Sequence, residues 1–178
     1  MSNIMLDIET LGTRSTSVIL SIGAVEFDKT SVLRTFHRRI DIDSCLRQGL
    51  TVDGRTIQWW MDQSDEARQL FHEDGEPLAV VLFDFCSSFE WDDKAVWCNG
   101  AAFDFPIVEN ALLQCDLQLP WVYYNTRDYR TLKNLVSRQT YDSLRVRPKV
   151  AHNALDDAIA QARTLQALLD HVKEGEEA

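Results

Sequence analysis

Three apolar runs follow one another within the first forty-two residues, and short polar turns are all that separate them. Ile4, Leu6 and Ile8 alternate with Met5, Asp7 and Glu9, the period of two expected of a strand. A small polar loop, 12–17, leads into Val18 to Phe27, which contains Gly23; Asp28-Lys29-Thr30-Ser31 then turns the chain into a third run, Leu33 to Ile42. Connections this short join antiparallel strands, because a parallel crossover needs a dozen residues or more. A purely parallel doubly wound sheet is therefore excluded.

The pattern then changes. Thr56 to Phe71, Pro77 to Phe89 and Phe105 to Cys115 read as helices, the last with Pro106 in its first turn, where a missing N–H costs least. Ala95 to Cys98 and Tyr123 to Thr126 read as short strands, and Arg127 to Gln139 as a basic helix. Leu155, Ile159, Ala162, Leu165, Leu169 and Val172 recur at spacings of three and four, which predicts an amphipathic helix followed by a frayed Glu-rich tail after Lys173. Strands followed by helices alternating with short strands predict an α/β fold, a mixed β-sheet flanked by α-helices.

Composition removes several classes of function. At 178 residues with 45% hydrophobic and 26% charged residues, the chain is globular rather than disordered or fibrous. No apolar run approaches the roughly 20 residues of a membrane span. Acids at positions 7 and 9 stand where a signal peptide would be apolar. Cys45, Cys86, Cys98 and Cys115 form no CxxC or Cys/His cluster, so reduced thiols in a cytoplasmic protein are expected. The net charge of −10 argues against a generally basic nucleic-acid face. Yet 125–150 holds seven basic residues against Asp128 and Asp142, which suits either a solvated helix face or a polyanion touched in one place.

Three local signals carry chemistry. Asp7 and Glu9 leave the same face of a strand whose other face is apolar. Two neighbouring carboxylates near a sheet interior repel each other and lose hydration, and a divalent cation compensates both. Asp104 follows Asn99 and Phe103 where a short strand breaks and a helix begins; by itself it could be a helix cap. His152 precedes Asp156 and Asp157 at the start of the last helix, where adjacent acids are favoured by the dipole alone. Each signal has a structural explanation in isolation; together, in this order, they point to one site.

The segments Asp7-Ile-Glu9-Thr10, Asn99-x-x-x-Phe103-Asp104 and His152-x-x-x-x-Asp157 resemble the three motifs of the DEDDh (DnaQ-like) 3'-to-5' exonuclease superfamily. The resemblance runs from residue 4 to about 172, so one exonuclease domain is expected over 1–178, with an acidic tail from about 173. The opening Asp-x-Glu-Thr-Leu-Gly, Thr56-Ile-Gln-Trp59-Trp60 and Arg127-Asp128-x-x-Thr131-Leu132 look most like small bacterial and phage exonucleases, of the mycobacterial exoribonuclease and exodeoxyribonuclease VIII-like types. The resemblance implies an RNase H-like fold, two Mg2+ or Mn2+ ions and release of nucleoside 5'-monophosphates. Carried over by position, Asp7, Glu9, Asp104 and Asp157 are the metal carboxylates and His152 is the general base. Helical periodicity does not choose between Asp156 and Asp157; the family spacing selects Asp157.

Residue chemistry agrees. Four carboxylates without a cysteine or second histidine suit Mg2+ or Mn2+ rather than zinc. Two cations about 4 Å apart hold the attacking and leaving oxygens of a phosphodiester. A histidine can take the proton of the attacking water at neutral pH. By resemblance Thr10, Leu11, Asn99 and Phe103 bind substrate, with the backbone of Thr10 and Leu11 holding the 3' end and Leu11 and Phe103 touching the terminal base. Trp59 and Trp60 cannot face the same way on a helix, so one is expected in the core and the other at the surface, with packing favoured over nucleotide stacking. The expected partner is single-stranded nucleic acid with a free 3' end, RNA slightly ahead of DNA. The basic stretch is expected to hold upstream phosphates, and a homodimer is the common state of related small exonucleases. A non-catalytic binding domain on the same fold would have no use for four converging acids. An RNase H-like endonuclease would lack the His-x4-Asp and Asp-x-Glu-Thr signature.

Overall fold

In the computed structural model, which describes residues 2–176, the three early apolar runs are β1 (Asn3–Thr10), β2 (Ile19–Phe27) and β3 (Val32–Arg39). Two later strands join them, β4 (Ala95–Cys98) and β5 (Thr126–Asp128). The strand order is β3-β2-β1-β4-β5: β1 pairs antiparallel with β2 and parallel with β4, while β2–β3 is antiparallel and β4–β5 parallel. The mixed sheet expected from the sequence is thus present. β1 is its central strand, with its carboxyl end beside those of β4 and β5. In α/β sheets, the crevice outside those carboxyl ends is where ligands bind.

Helices cover both faces. Ile4, Leu6 and Ile8 of β1 point into an apolar core that includes Phe36, Leu82, Phe85, Ile107 and Leu112. To that core α1 (Ile42–Arg47), α4 (Leu78–Ser87) and α5 (Asp104–Gln114) contribute. The opposite face, with Met5, Val25 and Phe27, packs under α8 (Ala154–Glu176) through Ala158, Ala162, Leu165 and Leu168. The buried stripe of α8 is therefore offset from the periodicity: Leu155 and Ile159 are only half-buried, and alanines face the sheet in the first turns. Small residues are needed there because the helix start lies almost on β2. A Cβ on Gly23 would come within 2.2 Å of the Ala154 backbone, so only glycine fits at that point of the strand.

Several boundaries move for capping reasons. The third strand stops at Arg39; Asp41, whose carboxylate accepts from the Ser44 N–H at 2.8 Å, starts α1 instead. The stretch 56–71 is not one helix. It divides into α2 (Gly54–Met61), α3 (Asp65–Arg68) and a 3-10 turn at Gln69–Phe71, because Ser64 caps a new start by accepting from the Ala67 N–H. The basic helix likewise divides: Asp128 caps α6 (Tyr129–Lys133) and Ser137 caps α7 (Arg138–Leu144). Tyr123–Asn125 is a 3-10 turn, and the strand predicted there is β5, displaced to Thr126–Asp128. The helical path of α8 continues past Lys173 to Glu176, where a frayed tail was expected; 177–178 lie outside the described residues.

Candidate active site

The carboxyl ends of β1 and β4, the start of α5 and the start of α8 meet around a hollow of about 690 Å³. Asp7 and Glu9 enter it from β1, on the face covered by α8. Glu9 is 8% exposed, while Asp7 opens partly to the hollow. Asp104, the first residue of α5, is 2% exposed. It is not the cap of that helix, since Phe103 holds that position without a side-chain bond, and its carboxylate turns inward instead.

α8 brings the remaining groups. Asp157 lines the hollow, and Glu9, His152 and Asp157 place ligand atoms within 4.8 Å of one another. Asp156 turns the other way, to accept from the Val150 N–H at 3.0 Å. His152 has a φ of +63°, an unfavourable backbone region for a residue with a side chain. Its backbone N–H donates to the Asp157 carboxylate at 2.8 Å, and its ring lies edge-on to Trp59 with centroids 4.9 Å apart. The strained conformation is thus over-determined by the acid on one side and the indole on the other.

The acids have almost no positive charge to meet. Burial, then the charges of Asp104, Glu9 and Asp157, push the Asp7 carboxyl well above its ordinary value, against a hydrogen bond from Gln161 at 2.8 Å. Burial, followed by Asp157 and Asp104, pushes Glu9 up to about 8. Burial pushes Asp104 up to about 7, opposed by hydrogen bonds from Cys98 and from the backbone and by the charge of Arg130. Asp157 is raised too, again by burial. A cluster that holds its protons this tightly is suited to exchanging them for divalent cations.

Thr10, Asn99 and Phe103 line the same hollow. The Thr10 hydroxyl is committed to the Gly12 carbonyl, and its own carbonyl accepts from the Trp60 indole N–H at 2.9 Å. Asn99 leaves its side-chain oxygen buried and without a partner. Leu11 is not brought into the hollow. It is 5% exposed, its N–H donates to the Val18 carbonyl, and its side chain lines a separate apolar recess with Ile57 and Phe71. Of the tryptophans, Trp60 is core (2% exposed), whereas Trp59 is 44% exposed and walls the hollow.

Arg130 is the member of the basic stretch that reaches the hollow, its guanidinium donating to the Asn99 carbonyl at 2.9 Å beside Gly100. Elsewhere in the stretch, Arg127 is spent on the carbonyls of Tyr124 and Thr126, and Arg138 pairs with Asp142. Arg55 of α2 faces the hollow as well. Arg55 and Gln161 were not singled out from the sequence. Gln161 had a signal, being four residues after Asp157 and so on the same face of the helix.

The chain is 27% identical over 161 residues to an exodeoxyribonuclease of Enterobacteria phage T4, covering 74% of this chain and 70% of that protein. Its fold matches exonuclease I in a product-bound structure, with a TM-score of 0.65, 15% identity and 97% of this chain covered. It also matches the zinc-bound E. coli exonuclease I–single-stranded DNA complex (0.67, 14% identity, 97% covered) and cell-death related nuclease 4 (0.64, 14% identity, 96% covered). This chain spans less than half of either exonuclease I chain, 46% and 43%, and 64% of the nuclease 4 chain. Residues 2–169 match the model of the 3'-5' exoribonuclease Rv2179c-like domain, and the chain therefore belongs to that family of 3'-5' exonucleases.

Proposed function

We propose that the chain removes nucleotides from the free 3' end of single-stranded nucleic acid by hydrolysis, releasing nucleoside 5'-monophosphates, with Asp7, Glu9, Asp104 and Asp157 holding two Mg2+ or Mn2+ ions and His152 as general base. The observation that carries this reading is the set of converging carboxylates, eased at Asp104 by the charge of Arg130. Oxygen ligands of this kind suit a hard divalent ion. Bound ions would supply the charge that steadies the attacking and leaving oxygens.

The chain's own groups do the rest. Gln161 orients Asp7 through its amide N–H. His152, fixed by Asp157 and Trp59, takes the proton of the attacking water on an imidazole nitrogen. Arg130 and the unpartnered Asn99 oxygen on one wall, and Arg55 and Trp59 on the other, hold the phosphate and the terminal nucleoside. A duplex end enters poorly because unpairing and unstacking cost a few kcal/mol. RNA is favoured over DNA by the family's description as exoribonucleases, with the phage exodeoxyribonuclease as the counterweight. Free cysteines and the absence of any described helix long and apolar enough to cross a membrane accord with a cytoplasmic setting.

The test is degradation of matched end-labelled RNA and DNA strands with Mg2+, Mn2+ or excess chelator. Stepwise loss from the 3' end, a need for metal and protection by a 3' block are expected. Cutting of a closed single-stranded circle, or undiminished activity in chelator, would refute the reading.

A further inference from the structure

Behind His152 lies a second hollow, of about 470 Å³, that the exonuclease chemistry does not use. Its floor is the α8-side face of β2 and β3, where Ser21 pairs with Arg39, and Gly23 with His37, across the sheet. Its walls are the 65–73 segment and the Val150–Asn153 loop, so His152 separates it from the acid cluster. Three buried side-chain atoms without a hydrogen-bond partner belong to this floor: Ser21 Oγ, His37 Nε2 and Arg39 Nε. Ser21 is completely buried.

The three atoms share one capability. Arginine Nε–H can only donate, a serine hydroxyl can donate, and an imidazole Nε2 donates in one tautomer. Buried donors without partners are costly, and one oxyanion can accept from all three. The rim is different: Asp65, Glu66 and Glu73 are exposed acceptors. Asp65 is paired with Arg68 and Glu73 with Arg39 Nη1, which leaves Arg39 Nε without a partner, and Asp156 is a further acid near His37. Solvent screens the acids of the exposed rim. Donors below and acceptors above suit a ligand with a phosphate at one end and amino groups at the other.

We propose that this hollow is a binding site for a phosphate monoester, of which a nucleoside 5'-monophosphate fits best, its phosphate on Ser21, His37 and Arg39 and its base toward the acidic rim. Such a nucleotide is also what the proposed reaction releases, and that link, though not the binding itself, rests on the proposed function. The site would then hold product against the rear of the His152 loop.

The experiment is calorimetric titration of the metal-free protein in excess chelator with AMP, inorganic phosphate or adenosine. Arg130→Met serves to separate binding in the first hollow, which Arg130 lines, from binding in this one. AMP should bind at one site, phosphate more weakly and adenosine not at all. Arg39→Met and His37→Phe should each weaken AMP by about tenfold or more, the worth of a hydrogen bond to a charged group. Ser21→Ala, the smallest change, should weaken it less, with circular dichroism checking the fold of all three. Arg130→Met, in the other hollow, should leave AMP binding intact. No binding of AMP at millimolar concentration overturns the proposal. So does adenosine binding as well as AMP, or loss of binding in Arg130→Met but not in the three floor variants. Because binding is read without metal or turnover, failure here leaves the exonuclease reading standing, and failure of that reading leaves this one.

Discussion

Glu9 and Glu26 are the same residue type on two paired strands, and each is 8% exposed, yet their surroundings are opposite. Glu26 points to the far face of the sheet. Burial pushes its carboxyl up, but hydrogen bonds from Lys94 at 2.7 Å and Ser2 at 2.8 Å, with the lysine's charge, outweigh burial and hold it below its ordinary value. Among the described residues Glu9 has no such partner: burial and two neighbouring acids push it up to about 8. Burial alone thus does not mark a functional carboxylate. What sets Glu9 apart is a missing counter-charge, in a fold that supplies one elsewhere on the adjacent strand.

The largest expected effect separates the two glutamates directly. Asp7→Asn, Glu9→Gln, Asp104→Asn and Asp157→Asn should each lower exonuclease turnover by more than about 100-fold, the upper range for loss of a metal site's outer partners. Glu26→Gln should keep it. Equal losses at Glu9 and Glu26 would dissolve the contrast. His152→Ala should cost about 10²- to 10⁴-fold in kcat with little change in KM, as for loss of a general base; turnover near wild type would make His152 a structural residue only. In stability the ranking reverses. Lys94→Met leaves Glu26 only the weaker support of Ser2 and Arg34 and should cost about 1–3 kcal/mol in urea unfolding, while adding Glu26→Gln should restore much of it.

Gly23→Ala drives a methyl group into the Ala154 backbone, so α8 must lift. Overpacking of this kind costs about 1–3 kcal/mol. Activity should fall disproportionately, since Asp157 and His152 move away from Asp7 and Glu9; a fully active Gly23→Ala enzyme would show that the close approach is dispensable. A further effect is a drift with pH. Raised carboxyls bind more protons in the folded than in the unfolded chain, so their contribution is complete below the unfolded carboxylate range and is lost as pH rises through the folded values, about 7 for Asp104 and about 8 for Glu9. In chelator the melting temperature should therefore decline between pH 5 and 8. Glu9→Gln should flatten the decline, and Mn2+ should reverse it by binding only the folded state. Glu26, whose value is lowered, works in the opposite sense and loses its contribution at acid pH. A chelated protein that gains stability toward pH 8 would contradict the charge assignment.

Much of the site was legible before any coordinates. Alternation placed Asp7 and Glu9 on one face, and motif spacing brought in Asp104, His152 and Asp157. Capping residues misled the boundaries, because Ser64, Asp128 and Ser137 read equally well as the polar face of a continuing helix. The large residues Leu155 and Ile159 drew attention away from the alanines that dock, since periodicity counts apolarity and not the distance at which a helix lies. Leu11 follows the acids in sequence but turns into the core, while Gln161, a turn beyond Asp157, reaches Asp7.

What the sequence by itself determined is local: the period of two in β1, the antiparallel start, the order of the three motifs and the one basic stretch. These depend on neighbours within a few residues, whose relative directions the backbone repeat dictates. The tertiary structure alone decided that α8 rests on Gly23, that Trp59 steadies His152, that Arg130 leaves the basic stretch for the hollow, and that Lys94 serves Glu26 while Glu9 faces Asp104 and Asp157. Electrostatic energy and steric contact depend on distance through space, and residues 145 or more positions apart in the chain, such as Glu9 and Asp157, acquire that distance only when the sheet and the last helix pack.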